Sequence, residues 1–195
     1  MAMGLGKLFS IDLPRNFFEP YKSKNPQEFW QKWHVTLSKW IKDYIYIPLG
    51  GNKSLVFSIL VSFFIVGVWH GAGINFIIWG IYHAIYLLFF IFIRNFWEKM
   101  PNFFQIFINF FFISLVWTLF EYDLTKYLDN MKILFSFNFA DSSIFKLKHW
   151  LYLAILSIFV FFINEDKFLY KDKYKIFSNP YFCGTLISLS IMFFT

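Results

Sequence analysis

An all-α, polytopic membrane helical bundle with short, broken and interfacial helices is the fold class this sequence predicts, on three observations. Hydrophobic residues make up 58% of the 195 residues and charged residues only 15%, far from the balance of a soluble domain of this length. The apolar residues gather into five runs, at 55–69, 74–93, 103–120, 150–163 and 181–194. An aromatic, basic amphipathic stretch precedes them at 25–47. Phenylalanine alone contributes 31 residues, which can face lipid or neighbouring helices and carry no chemistry themselves.

Residues 1–20 have no charged start, sustained apolar core or small-residue cleavage site, so they do not read as a secretory leader. A helix start follows, with Asn25 at the N-cap, Pro26 at the first helical position and Glu28 placed to close a capping box. From there Phe29, Trp30, Trp33, Leu37, Trp40, Ile41 and Tyr44 recur at three- and four-residue spacing, with Gln31, Lys32, Lys39 and Lys42 on the other side. This pattern predicts one amphipathic helix over 25–47 at the cytoplasmic membrane interface, ended by Pro48 and the Gly50-Gly51-Asn52 turn.

Of the five apolar runs, 74–93 and 103–120 are long enough to span a bilayer alone, and the others suit short, tilted or broken helices. Gly71 and Gly73 interrupt the first two runs, which predicts a hairpin over 55–93 with His70 at its bend. Residues 103–194 supply the further membrane segments. Lysines and arginines number eight up to Lys53, two in 94–102 and four in 164–180, whereas four lysines in 121–149 are balanced by four acids. The first three regions are therefore expected in the cytoplasm and the last outside it. No repeat, linker or charge run divides the chain, which reads as one membrane unit.

The net charge of +6 does not indicate nucleic acid, because the basic residues lie in loops beside apolar runs rather than on one face. The single cysteine, Cys183, excludes an intramolecular disulfide and any Cys-x-x-Cys motif, and sits in an apolar run where packing suffices. No Gly-x-Ser-x-Gly elbow, Walker loop or dinucleotide fingerprint is present, and the four histidines are not spaced as metal ligands. Histidine chemistry in a membrane remains. An imidazole between apolar segments is costly unless something uses it, and one with an ordinary pKa of about 6.5 can take a proton from a hydroxyl attacking an acyl carbonyl. His70 fits that role, but the glycines around it could equally serve helix packing, with His70 bonded to a neighbouring carbonyl. His34 falls on the apolar face of the predicted amphipathic helix, where a bond to a buried carbonyl is the more ordinary role. His83 reads as a packing residue, and His149, beside Lys146 and Lys148, as interfacial.

Three stretches together carry a resemblance: F-W-Q-K-W-H-V-T-L-S-K-W-I-K-D-Y-I-Y-I-P-L-G-G-N-K at 29–53, G-V-W-H-G-A at 67–72 and I-I-W-G-I-Y-H at 77–83. In order and spacing they closely resemble the membrane-bound O-acyltransferases, in particular the bacterial branch that acetylates alginate or peptidoglycan and a relative that D-alanylates teichoic acid. The resemblance implies that His70, in the W-H-G motif, is the catalytic residue, and that His34, in the counterpart of the R-W-H-x-S-L-S motif, is a second functional position. No role is carried over to His83. Lys32 stands where the family has arginine and Thr36 where serine is common, both retaining charge or hydroxyl character. Residues 1–21 resemble an internal stretch of the family and 117–128 its downstream region, so the chain is expected to be the C-terminal portion of an enzyme with further N-terminal membrane helices, supplied in cis or in trans.

What the resemblance implies is a multi-pass protein of the inner membrane that moves an acetyl group from a cytoplasmic thioester, acetyl-CoA or another acyl thioester, toward an extracytoplasmic polysaccharide. It implies a periplasmic SGNH-type acetyltransferase or esterase as partner, with membrane lipid around it and no bound cofactor. D-alanyl transfer, or a noncatalytic scaffold that recruits the periplasmic enzyme, are the alternatives. A transporter would show a paired repeat of broken helices, and the sequence has one such break.

Overall fold

The computed structural model describes residues 5–6, 9–136 and 161, and the apolar runs expected at 150–163 and 181–194, with His149 and Cys183, lie outside the described residues apart from Phe161. The chain divides into two compact units, Met1–Ile144 and Phe145–Thr195. Among its described residues the first unit is built from helices and turns, with six α-helices: α1 Pro26–Lys32, α2 Val35–Ile41, α3 Leu55–His70, α4 Ile74–Trp97, α5 Asn102–Trp117 and α6 Leu124–Ser136.

The start of α1 follows the local sequence. The Asn25 side chain accepts the Glu28 N–H at 2.7 Å and Pro26 takes the first turn. Glu28 reaches one residue further back than a capping box requires, accepting the Lys24 N–H at 2.8 Å while pairing with Lys32 at 2.7 Å.

The expectation of one helix over 25–47 is corrected by the structure, in which the chain breaks at Trp33-His34. Trp33 is extended and His34 left-handed, at φ 45°, before α2 starts and passes into a π-helical turn at Lys42–Tyr46. The aromatic stripe packs along α4 in sequence order. Asn25 lines one cavity with Phe90 and Arg94, Phe29 shares a buried cluster with Tyr86 and Phe90, Trp30 meets His83 and Trp79, and His34 meets Trp69 at the hairpin bend. The chain then returns, with Ile41 on the Val66–Trp79 cluster and Tyr46 on the Ile59–Leu88 cluster. Periodicity shows that a face is apolar, not whether the backbone beneath it is continuous, which is why spacing alone suggested one helix.

Gly50 and Gly51, at φ 105° and 54°, turn the chain into a 3-10 turn, Gly51–Ser54, that runs directly into α3. The continuous stretch Gly51–His70 is thereby 20 residues, longer than the 55–69 run indicated. With Ile74–Trp97 and Asn102–Phe120 it makes three helices long and apolar enough to cross a membrane. The predicted α3–α4 hairpin is present, and its backbones come close at two glycines. A Cβ on Gly67 would lie 2.6 Å from the Phe76 carbonyl oxygen, and one on Gly80 would collide with the Phe63 carbonyl. The stretch 121–149, expected to be a loop, contains α6, whose first turn is capped by Asp123 accepting the Lys126 N–H at 2.9 Å and whose Leu124 and Tyr127 cover the Trp79–Leu119 cluster.

Buried polar side chains tie α4 and α5 to the segment before α1. Asn109 donates to the Ser23 carbonyl at 2.9 Å and accepts from the Tyr86 hydroxyl at 3.1 Å, and the Trp97 indole donates to the Lys24 carbonyl at 2.9 Å. Gln105 closes the α4–α5 turn through the Trp97 and Met100 carbonyls.

Candidate active site

The break that carries His34 leaves backbone groups that the helix would have paired, and residues on either side of it satisfy them. Phe18 N–H bonds to the Lys32 carbonyl and Val35 N–H to the Asn16 carbonyl, both at 3.0 Å. The Asn16 side-chain oxygen accepts the Thr36 N–H at 2.9 Å and the Thr36 hydroxyl at 2.7 Å, while Ser38 donates its hydroxyl to the Trp33 carbonyl. Asn16 thus caps α2 across twenty residues of sequence, and His34, which occupies the cap position, is released from that duty. A non-glycine residue held left-handed costs about 1–3 kcal/mol and persists only where its surroundings enforce it. The His34 ring lies 6.1 Å from Phe17 and 6.2 Å from Trp69, between ring centres. Its Nδ1 is buried and meets no hydrogen-bonding atom among the described residues, so a bond from that nitrogen to a buried carbonyl does not hold it.

His70 is the last residue of α3, where the chain becomes extended at Gly71. Its half-buried imidazole is surrounded by rings: Trp69 at 4.8 Å, Phe120 at 4.9 Å, Trp79 at 5.0 Å and Phe76 at 6.5 Å, the first three edge-to-face. The glycines of the bend make room for this cage. A Cβ on Gly71 would lie 2.5 Å from the Phe76 ring, and one on Gly73 would collide with the Asn75 carboxamide oxygen. Trp69 touches both imidazoles, so the structure brings His70 and His34 to one site across a single indole.

His83 lies further along α4, buried to 1% exposure, with neither ring nitrogen paired among the described residues. It meets Trp79 at 4.7 Å and Trp30 at 5.1 Å, both edge-to-face, geometries in which an N–H can point at a ring. Trp79 stands between it and His70, 5.0 Å from the His70 ring, so His83 lies one indole behind the bend. Three participants were not singled out in the sequence: Asn16, Asn75 and Phe120. Asn75 carried a signal, as a carboxamide in the first turn of an apolar helix, whereas Asn16 and Phe120 reach the site only through the fold. Among the described residues no three His, Cys, Asp or Glu side chains gather as a metal site.

The chain is similar in sequence to several curated proteins. Over 129 residues, 62% of the chain, it is 47% identical to a peptidoglycan O-acetyltransferase of Helicobacter pylori, covering 24% of that protein. Over 91 residues, 45% of the chain, it is 43% identical to a probable alginate O-acetylase, AlgI, of Azotobacter vinelandii, covering 18% of it. Over 109 residues, 50% of the chain, it is 35% identical to a teichoic acid D-alanyltransferase of Bacillus subtilis, covering 27% of it. The chain thus matches about a quarter or less of the length of these curated relatives. The model of the MBOAT family matches residues 1–128, which take in the His34 break, the hairpin with its His70 bend and the turn that carries Phe120, and the chain belongs to the membrane-bound O-acyltransferase family.

Proposed function

We propose that the protein transfers an acyl group, acetyl in the first instance, from a thioester donor to a hydroxyl of a cell-wall or extracellular polysaccharide, with His70 as general base. The observation that carries this reading is the His70 imidazole at the end of α3, held by aromatic edges with no metal ligand set or carboxylate relay around it among the described residues. An unprotonated ring nitrogen accepts the proton of the acceptor hydroxyl as its oxygen attacks the thioester carbonyl. The tetrahedral intermediate collapses with cleavage of the C–S bond, and the imidazolium returns the proton to the leaving thiolate, so the base is regenerated. Acetyl-CoA or another acyl thioester supplies the acyl group. His34, across Trp69 from His70, supports or orients a substrate beside the base. A place in the inner membrane, a periplasmic SGNH-type acetyltransferase or esterase as partner, and partnership with further membrane helices complete the reading.

Acetyl is favoured over D-alanyl by the higher identity to the peptidoglycan O-acetyltransferase than to the D-alanyltransferase. The test is His70→Ala in cells that carry the gene, reading ester-linked acyl groups on the polymer beside the amount of inserted protein. Loss of the ester with insertion intact is expected, because one imidazole at a glycine-flanked bend contributes little packing. Ester at wild-type levels would remove His70 as base, and D-alanyl rather than acetyl ester on the polymer would reassign the donor.

A further inference from the structure

No carboxylate or carbonyl orients the His70 ring in the manner of a base–orienter pair among the described residues, since aromatic edges surround it instead. Two of those rings, Trp69 and Trp79, belong to the hairpin itself. The third arrives from fifty residues downstream, on the 3-10 turn Thr118–Phe120 that follows α5. That turn is fastened to the bend by a hydrogen bond: the Asn75 carboxamide donates to the Leu119 carbonyl at 2.7 Å. Leu119 is fully buried, so its carbonyl has a stable place, and the next ring, Phe120, contacts His70, Trp79 at 5.1 Å and Phe76 at 5.3 Å. The bend is shaped around the fastening, because a side chain at Gly73 would strike the Asn75 oxygen.

Resting on the assignment of His70 as base, we propose that Asn75 and Phe120 are positioning residues for that reaction: Asn75 holds the Thr118–Phe120 turn against the bend, and the Phe120 ring fixes the plane of the His70 imidazole. The edge-to-face contacts restrict rotation about the imidazole's terminal torsion, which is otherwise broad and soft. Proton transfer needs the nitrogen within hydrogen-bond reach of the hydroxyl, so a small rotation of the ring is felt in turnover rather than in substrate binding.

The experiment measures acyl transfer from labelled acetyl-CoA in washed membranes carrying the full polypeptide, as kcat and KM per inserted protein. The variants are Asn75→Ala, Phe120→Leu and Phe120→Tyr, beside His70→Ala and, as a control for loosening, Trp97→Phe. The control removes a long-range indole-to-carbonyl bond at the other end of α4. Asn75→Ala and Phe120→Leu are expected to lower kcat roughly tenfold or more with the donor KM within about twofold of wild type. Phe120→Tyr, which keeps the ring, retains wild-type kcat, and so does Trp97→Phe. Should Asn75→Ala fail to insert, Phe120→Leu carries the test, since it removes no hydrogen bond. An active His70→Ala would remove the assignment on which the proposal rests. An inactive His70→Ala with wild-type kcat in Phe120→Leu overturns the positioning role and leaves that assignment standing. Equal losses in Trp97→Phe and the bend variants, or failure of Phe120→Tyr, overturn it as well.

Discussion

His34 combines two properties that substitutions can separate: a left-handed backbone and an imidazole beside Trp69. Glycine adopts φ 45° without the Cβ penalty, so His34→Gly relieves strain, whereas His34→Ala keeps the strain and removes the ring. Both variants are expected to lose most acyl transfer in the membrane assay, with His34→Gly the more thermally stable of the two by about 1 kcal/mol. Wild-type transfer in His34→Gly would mean that only the backbone turn matters. Asn16→Ala is expected to destabilise the α2 start by about 1 kcal/mol, the loss of a helix cap, and to lower transfer because the break would fray beneath His34. Limited proteolysis between α1 and α2, compared with wild type, measures it. Neither property of His34 was legible at this scale. The three- and four-residue spacing of Trp30, His34 and Leu37 placed the ring on an apolar face, but φ depends on Asn16, whose pairing with Thr36 no local pattern announces.

At the scale of the elements, local signals were read well where they are local in cause. Asn25 caps α1 and Pro26 opens it, and the 71–73 glycines end α3 at His70 as expected. Gly67 and Gly80 act between helices, and their effect emerges only when α3 and α4 are packed together. Gly67→Ala or Gly80→Ala would press a methyl into a backbone carbonyl, which cannot move aside as a side-chain end can. Each is expected to separate the hairpin and destabilise it by about 1–3 kcal/mol, seen as lower abundance and a lower aggregation temperature in detergent. Glu28 gives a pH effect at the α1 start. Burial by itself would raise its carboxyl, but hydrogen bonds from Lys32 and the Lys24 N–H, with the two lysine charges, outweigh burial and hold it below the usual carboxylate range. Its folded-state pKa is depressed, so this contribution is present above the ordinary glutamate value and is lost as pH falls through the depressed one. Proteolysis of the α1 start should therefore accelerate in acid in wild type, and Glu28→Gln should remove that acid dependence.

Within the Met1–Ile144 unit, charges spread along the sequence are gathered toward the two ends of the α4–α5 pair. The Trp97–Lys24 bond brings Lys24 to the end of the α4–α5 pair that carries Arg94 and Lys99. The Asn75–Leu119 bond brings the His70 bend and the turn before Glu121 and Asp123 to the other. With α3, α4 and α5 as successive crossings, the positive-inside rule predicts the lysine-rich end in the cytoplasm and the bend in the outer half of the membrane. Charge counting could rank the loops but could not show that the first basic segment and the α4–α5 turn share an end, because that depends on a buried indole and a backbone carbonyl seventy-three residues apart. In a Cys183→Ser background, Lys99→Cys is expected to be protected from a membrane-impermeant thiol reagent in intact cells and labelled after permeabilisation, while Tyr122→Cys is labelled in both. On the reading of His70 as base, an acyl donor would enter at the basic end and an acceptor hydroxyl approach at the bend, so the thioester must be reached along the depth that α1 and α4 share. Labelling of Lys99→Cys with protection of Tyr122→Cys would invert the crossings, and with them the direction in which the acyl group moves past His70.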